Sequence, residues 1–156
     1  KQCLTVLATQ QPAAIDLRTV VAAIHIAGEL ERIGDHASGI ARLVGRMEDE
    51  DDLHTLHKVP KMARRAREMV QDGLNAFVQH DIDLAYKLMK RDGKIDKHYE
   101  QLTQEVLSEM QDETYVRRAT FLLWVGHGLE RIGDRATNIA ERVIFMISGE
   151  YVDDVP

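Results

Sequence analysis

Apolar residues recur at three- and four-residue intervals through nearly the whole chain, while period-two alternation is scarce, so the pattern predicts helices and no strands. The clearest stripe is Leu122, Leu129, Ile132, Ala136, Ala140, Val143 and Ile147, which predicts one long helix over 113–148 stopped by Gly149. Four further helices are expected over 1–9, 12–47, 60–79 and 82–111, with Pro12 suited to the first turn of the second because its φ is preset. Gly34 and Gly133 fall in bundle-facing stripes, where a missing side chain lets helices approach closely. Phe121 and Trp124 read as core. Long helices on short connections pack as antiparallel neighbours, so the last three predict a three-helix bundle.

The same pattern contains a repeat. Leu30-Glu31-Arg32-Ile33-Gly34-Asp35-His36-Ala37-Ser38-Gly39-Ile40-Ala41 returns 99 residues later as Leu129-Glu130-Arg131-Ile132-Gly133-Asp134-Arg135-Ala136-Thr137-Asn138-Ile139-Ala140, with nine of twelve positions identical. The chain therefore reads as two related units. Residues 58–97 have no counterpart in the first, and Cys3, Leu4, Val6 and Leu7 match the later part of a helix around Leu102 to Leu107. The expected organisation is all-α tandem three-helix bundles: an incomplete first unit over 1–47, a linker over 48–57, a second unit over 58–150, and a tail over 151–156. The first unit would lack about one and a half helices at its start and expose the apolar surface they would cover.

Composition narrows the chemistry. A 44% hydrophobic content supports a real core, and a net charge of −6 with no basic stripe argues against nucleic acid as the principal ligand. The lone Cys3 cannot form an internal disulfide, which fits a cytoplasmic setting. No apolar run approaches the roughly 18–20 residues a membrane helix needs. The acids of Glu48 to Asp52 repel one another and read as a solvated linker.

Each repeat places a Glu and an Asp four residues apart, which in a helix stacks both carboxylates on one side. Glu130, Asp134 and Glu141 form an acidic edge beside the apolar stripe, with Arg131 near enough to meet Asp134. Asp92 and Asp96 repeat the spacing on the preceding helix, Asp92 almost on the centre line of its apolar stripe, where an ionised carboxylate is costly unless paired or bound. Two such pairs give four converging carboxylates, an all-oxygen set suited to hard cations rather than Zn or Cu(I). A solvated or Arg-paired acidic edge is the competing reading. Glu68 and Asp72 repeat the step as a solvated face, and His54 and His57 read as surface residues. No nucleophile with a base, no phosphate loop and no dinucleotide fingerprint is present. A ferritin-type di-iron bundle wants Glu-x-x-His, and the residues three after Glu31 and Glu130 are Gly34 and Gly133.

Leu-Glu-Arg-Ile-Gly-Asp twice, Ala8-Thr9-Gln10-Gln11-Pro12 before Asp16-Leu17-Arg18, and Asp92-x-x-x-Asp96 together resemble the PhoU family of phosphate-transport regulators. The resemblance implies tandem three-helix bundles carrying a multinuclear iron cluster or other hard cations such as Mn or Mg. Asp92, Asp96, Glu130 and Asp134 would form the second-unit metal site. Glu31 and Asp35 would be half of the first, where Gly39 also replaces the amide of Asn138. It further implies a non-enzymatic, often homodimeric cytoplasmic adaptor that restrains phosphate uptake and the phosphate-starvation response. Its partners would be the ATPase of a phosphate ABC transporter and a membrane sensor histidine kinase, so that it meets the membrane only peripherally. Two other readings share the acidic pairs: a metal-storage or metal-buffering bundle, and a regulatory domain of a larger phosphate transporter.

Overall fold

The computed structural model describes residues 1–47, 58–91 and 93–152. Within them the chain is all α: α1 (Gln2–Gln10), α2 (Ala14–Gly45), α3 (Lys58–Gln79), α4 (Ile82–Met89), α5 (Gly93–Glu109) and α6 (Val116–Ser148), with one 3-10 turn at Glu113–Tyr115. The linker expected over 48–57, with His54 and His57, and the end of the tail lie outside the described residues, as does Asp92.

Local chemistry sets the boundaries. His80 takes φ of 53°, ending α3, and the Leu84 N–H donates to the Asp81 carboxylate at 2.9 Å, capping α4. The Thr114 N–H and hydroxyl donate to Asp112 at 2.9 and 2.7 Å, opening the 3-10 turn that leads into α6. Gly149 closes α6 in the left-handed region at φ 83°, which favours glycine. Pro12 precedes α2 rather than entering its first turn, because Gln11 and Ala14 both take positive φ and delay the helix start.

The continuous helix expected over 82–111 is instead two helices, α4 and α5, separated around Lys90 and Arg91. An Arg-Asp-Gly sequence explains the break: Gly93 costs about 1 kcal/mol in a helix interior, and Asp favours turns. The apolar stripe passes through unbroken, since Leu88 and Ile95 are both fully buried; that is why periodicity alone joins the two.

α6 is the axis of the fold, touching α2, α3, α4 and α5. Its core face buries Leu122, Val125, Leu129, Ile132, Ile139, Val143 and Ile144 against Met62, Ala66 and Met69 of α3, Leu88 of α4, and Ile95, Leu102 and Val106 of α5. Gly73 admits α3 closely, for a Cβ there would stand 3.1 Å from Ile139 Cγ2. Phe121 is buried as expected, but Trp124 is 53% exposed: it lies beyond the edge of the covered face and rests against the Phe121 ring at 6.0 Å.

α2 and α6 run antiparallel. Arg18 Nε donates to the Met146 carbonyl at 3.0 Å near one end of the seam, satisfying a last-turn acceptor, and Ile40 faces Gly128 near the other. Repeat twins fare differently across this seam. Leu129 is 6% exposed and Val143 fully buried, whereas their twins Leu30 and Val44 are 37% and 53% exposed. Ala136 and Ala140 are buried and their twins Ala37 and Ala41 exposed. α3, α4 and α5 cover α6, and no described element does the same for α2. Gly34 lies exposed with open space around it, so it does not bring helices together as the stripe predicts, whereas Gly133 is buried. Among the described residues no helix is long and apolar enough to cross a membrane.

Candidate functional site

The second acidic pair sits where α5 and α6 pass closest. Gly126 makes the approach possible: a Cβ there would lie 2.6 Å from Leu102 Cδ2 and 3.1 Å from Tyr99 Cδ2. Tyr99 and His127 consequently meet with ring centroids 6.0 Å apart. Asp96 lies one turn before Tyr99, and Glu130 one turn after His127. Because the helices are antiparallel, the two carboxylates stand at the same level of the seam, and Asp134 continues the line by one further turn.

Their partners, however, come from their own helix. His127 Nδ1 and Glu130 Oε2 are 3.0 Å apart, and Arg131 Nη1 donates to Asp134 Oδ2 at 2.9 Å. The hydrogen bond to Asp134 and its charge, with a smaller contribution from Glu130, hold the Arg131 guanidinium pKa above its ordinary value. Asp96 is exposed, as are Glu31 and Asp35 on α2. Among the described residues no three His, Cys, Asp or Glu side chains gather into a metal-binding group. A hard cation at this seam would have to replace the contacts of His127 and Arg131, and Asp92, the acid expected on the centre line, lies outside the described residues. Of the further acids, Asp72 is bound by Arg91 at 2.7 Å, and exposed Glu68 lines a shallow concavity with Arg67 and Gln71.

One enclosed carboxylate escapes the reading of the repeats. Glu29 is nearly enclosed in the α2–α6 seam, where it accepts from Arg32 at 2.9 Å, from Asn138 Nδ2 at 3.3 Å and from Arg135 Nη1 at 3.5 Å. The Asn138 amide therefore serves the seam between the units rather than the carboxylates of the acidic edge. A signal for this contact exists in the sequence. Glu29, Arg135 and Asn138 all stand where the copies differ, their twins being Gly128, His36 and Gly39.

The molecule is thus an all-α bundle in which two copies of one motif face each other across an antiparallel seam, one copy covered by three more helices. The PhoU domain model matches residues 1–44 and 59–143. The chain belongs to the PhoU family. It is 38% identical over 152 residues to a Clostridium acetobutylicum protein named phosphate-specific transport system accessory protein PhoU homolog, covering 96% of this chain and 69% of that one. A Pseudomonas aeruginosa protein of the same name is 36% identical over 154 residues, covering 97% of this chain and 64% of the relative. The chain thus spans about two thirds of the length of these curated relatives. The crystal structure of PhoU from Pseudomonas aeruginosa superposes with a TM-score of 0.90 at 36% identity over 95% of this chain and 72% of that one. The phosphate transport system regulatory protein PhoU from Streptococcus pneumoniae gives 0.88 at 32%, over 97% and 72%.

Proposed function

We propose that this chain is a regulatory accessory component of a phosphate-specific transport system, acting by binding rather than by catalysis. The observation that carries the reading is its 38% identity, over 96% of its length, to a relative named as an accessory protein of a phosphate-specific transport system; a solved structure that superposes at a TM-score of 0.88 is titled a regulatory protein of such a system. In this role it contacts the ATPase of a phosphate ABC transporter and a membrane sensor histidine kinase from the cytoplasm, as a homodimer. It restrains uptake and the starvation response when phosphate is plentiful. Such an adaptor works by binding one state of a partner better than another. A hard cation held by Asp92, Asp96, Glu130 and Asp134 belongs to the same proposal, with Glu31 and Asp35 as half of a second site. Oxygen-only donors on two neighbouring helices support that part, since a bound cation relieves the repulsion of stacked carboxylates.

Two measurements test it. Pull-down with the tagged chain from a phosphate-replete extract should recover the transporter ATPase and the kinase; if neither appears while metal content tracks supply, the adaptor reading fails and metal buffering replaces it. Elemental analysis after equilibration with iron, manganese and magnesium in turn should find metal on the parent and none on an Asp92→Ala/Asp134→Ala variant of equal helicity. Equal metal on both would remove these carboxylates as ligands.

A further inference from the structure

The chain is acidic overall, yet Lys61, Arg64, Arg65 and Arg67 crowd two turns near the start of α3 without an intervening acid. Several cations elsewhere on the described surface are matched, for Arg32 and Arg135 meet Glu29, Lys58 meets Glu105, Arg91 meets Asp72, and Arg131 meets Asp134; what sets the α3 group apart is four cations within seven residues. Among the described residues, none of the four has a carboxylate within ion-pairing distance. Spacings of three and four residues set Arg65, Lys61, Arg64 and Arg67 in a band around α3, where like charges at adjacent positions oppose helix formation, with Glu68 the nearest acid on the helix. The first turn of α3 also holds no acid to offset the positive end of the helix dipole.

The neighbouring helix feels the same field. His98 of α5 faces the group, and its pKa lies below the ordinary 6.5, through burial first and the Arg65 charge second, with Lys58 and Lys61 adding to it. Pro60, Ala63, Arg64 and Arg67 line a shallow concavity of about 460 Å³ on the outer side of the helix.

We propose that the face of α3 carrying Lys61, Arg64, Arg65 and Arg67 is a docking surface for an acidic polypeptide segment of a partner protein. The inference stands on these residues and holds whether or not the partner belongs to phosphate regulation. Charge complementarity argues for such an occupant, since a row of cations about 9 Å long matches successive carboxylates along a chain better than one compact ion. An anionic membrane fits less well. Interfacial binding wants a large apolar face among the cations, and this surface offers only Ala63 and Pro60; exposed Val78 lies at the far end of the helix. A long nucleic acid would meet the repulsion of the remaining net negative charge.

The test uses the 156-residue chain and a fluorescein-labelled oligoglutamate decapeptide, read by anisotropy at low and moderate salt. Saturable binding that weakens with salt is expected, and Lys61→Gln/Arg64→Gln/Arg65→Gln/Arg67→Gln should lose about tenfold in affinity or more. The control Arg42→Gln/Arg46→Gln/Lys87→Gln/Lys90→Gln removes the same charge elsewhere and should change affinity by less than about threefold. Circular dichroism checks that both fold. Equal losses in the two variants would reduce the effect to net charge and overturn the proposal. Failure to bind the peptide would overturn it as well, and sedimentation on phosphatidylserine vesicles in that case would assign the face to an anionic membrane instead.

Discussion

Glu29 Oε2 and Asn138 Nδ2 meet at 3.3 Å across the seam between α2 and α6, and the twins of both residues are glycine. The two units thus share a motif but not the contact that joins them. With its side chain 13% exposed and three donors converging on it, Glu29 should matter more than the motif acids. Glu29→Ala is expected to cost about 1.5–3 kcal/mol, the range for hydrogen bonds to a charged group, while Glu31→Ala stays within about 0.5 kcal/mol. Urea unfolding followed by circular dichroism separates the two; equal midpoints would show that the Glu29 contacts carry no stability.

Glycines give a second contrast. Gly126→Ala forces a methyl group against Leu102 and Tyr99 and should destabilise by about 1–3 kcal/mol, whereas Gly34→Ala has open space on a helix and should stabilise by up to about 1 kcal/mol. Thermal melts of the two variants should move in opposite directions. A Gly126→Ala protein melting at or above the parent temperature would contradict the close approach of α5 to α6.

His98 supplies a pH dependence with a definite sign. Its folded pKa lies below the unfolded 6.5, so its stabilising effect is complete above that value and is lost as pH falls toward the folded pKa. Stability should therefore decline below about pH 6.5, less steeply in His98→Gln, and Arg65→Gln should return the His98 pKa upward. Titration of the imidazole proton resonances reads this directly; a His98 midpoint at or above 6.5 would sink it.

Trp124 is the only tryptophan and is half exposed, so its fluorescence should be quenched readily by acrylamide in the native protein and change little in quenching constant on unfolding. Strong native protection would return it to the core.

How far the sequence carries the fold follows from these residues. Period 3.6 is read from buried faces, so α3 and α6 emerge nearly intact, and Gly149 marks the end of α6 because its left-handed φ is a local requirement. The same periodicity cannot see the interruption between α4 and α5, since Leu88 and Ile95, both fully buried, continue one stripe across it. It misplaces Trp124 and Gly34 because burial depends on which neighbour covers a face, and neighbours are not encoded in spacing along one helix. The acids of the repeat were legible as stacked pairs. The Arg131 to Asp134 step is legible from the three-residue spacing and is present at 2.9 Å; the His127 contact with Glu130 depends on rotamers that spacing leaves open, and Glu29 acquires its role only once α2 and α6 are side by side.

The sparse burial along α2 has a dynamic consequence. Only Ala22 and Ile26 of its 32 residues are buried, and α1 packs against α2 without burying a residue of its own. Cooperative opening should follow that division: amide protons of α1 and α2 exchange with solvent through a low-energy detachment, while those of α3 and α6 wait for global unfolding. Native-state exchange would then resolve two stability classes in one short chain. The twin copies of Leu-Glu-Arg-Ile-Gly-Asp would fall on opposite sides of that line, identical in sequence and different in lifetime.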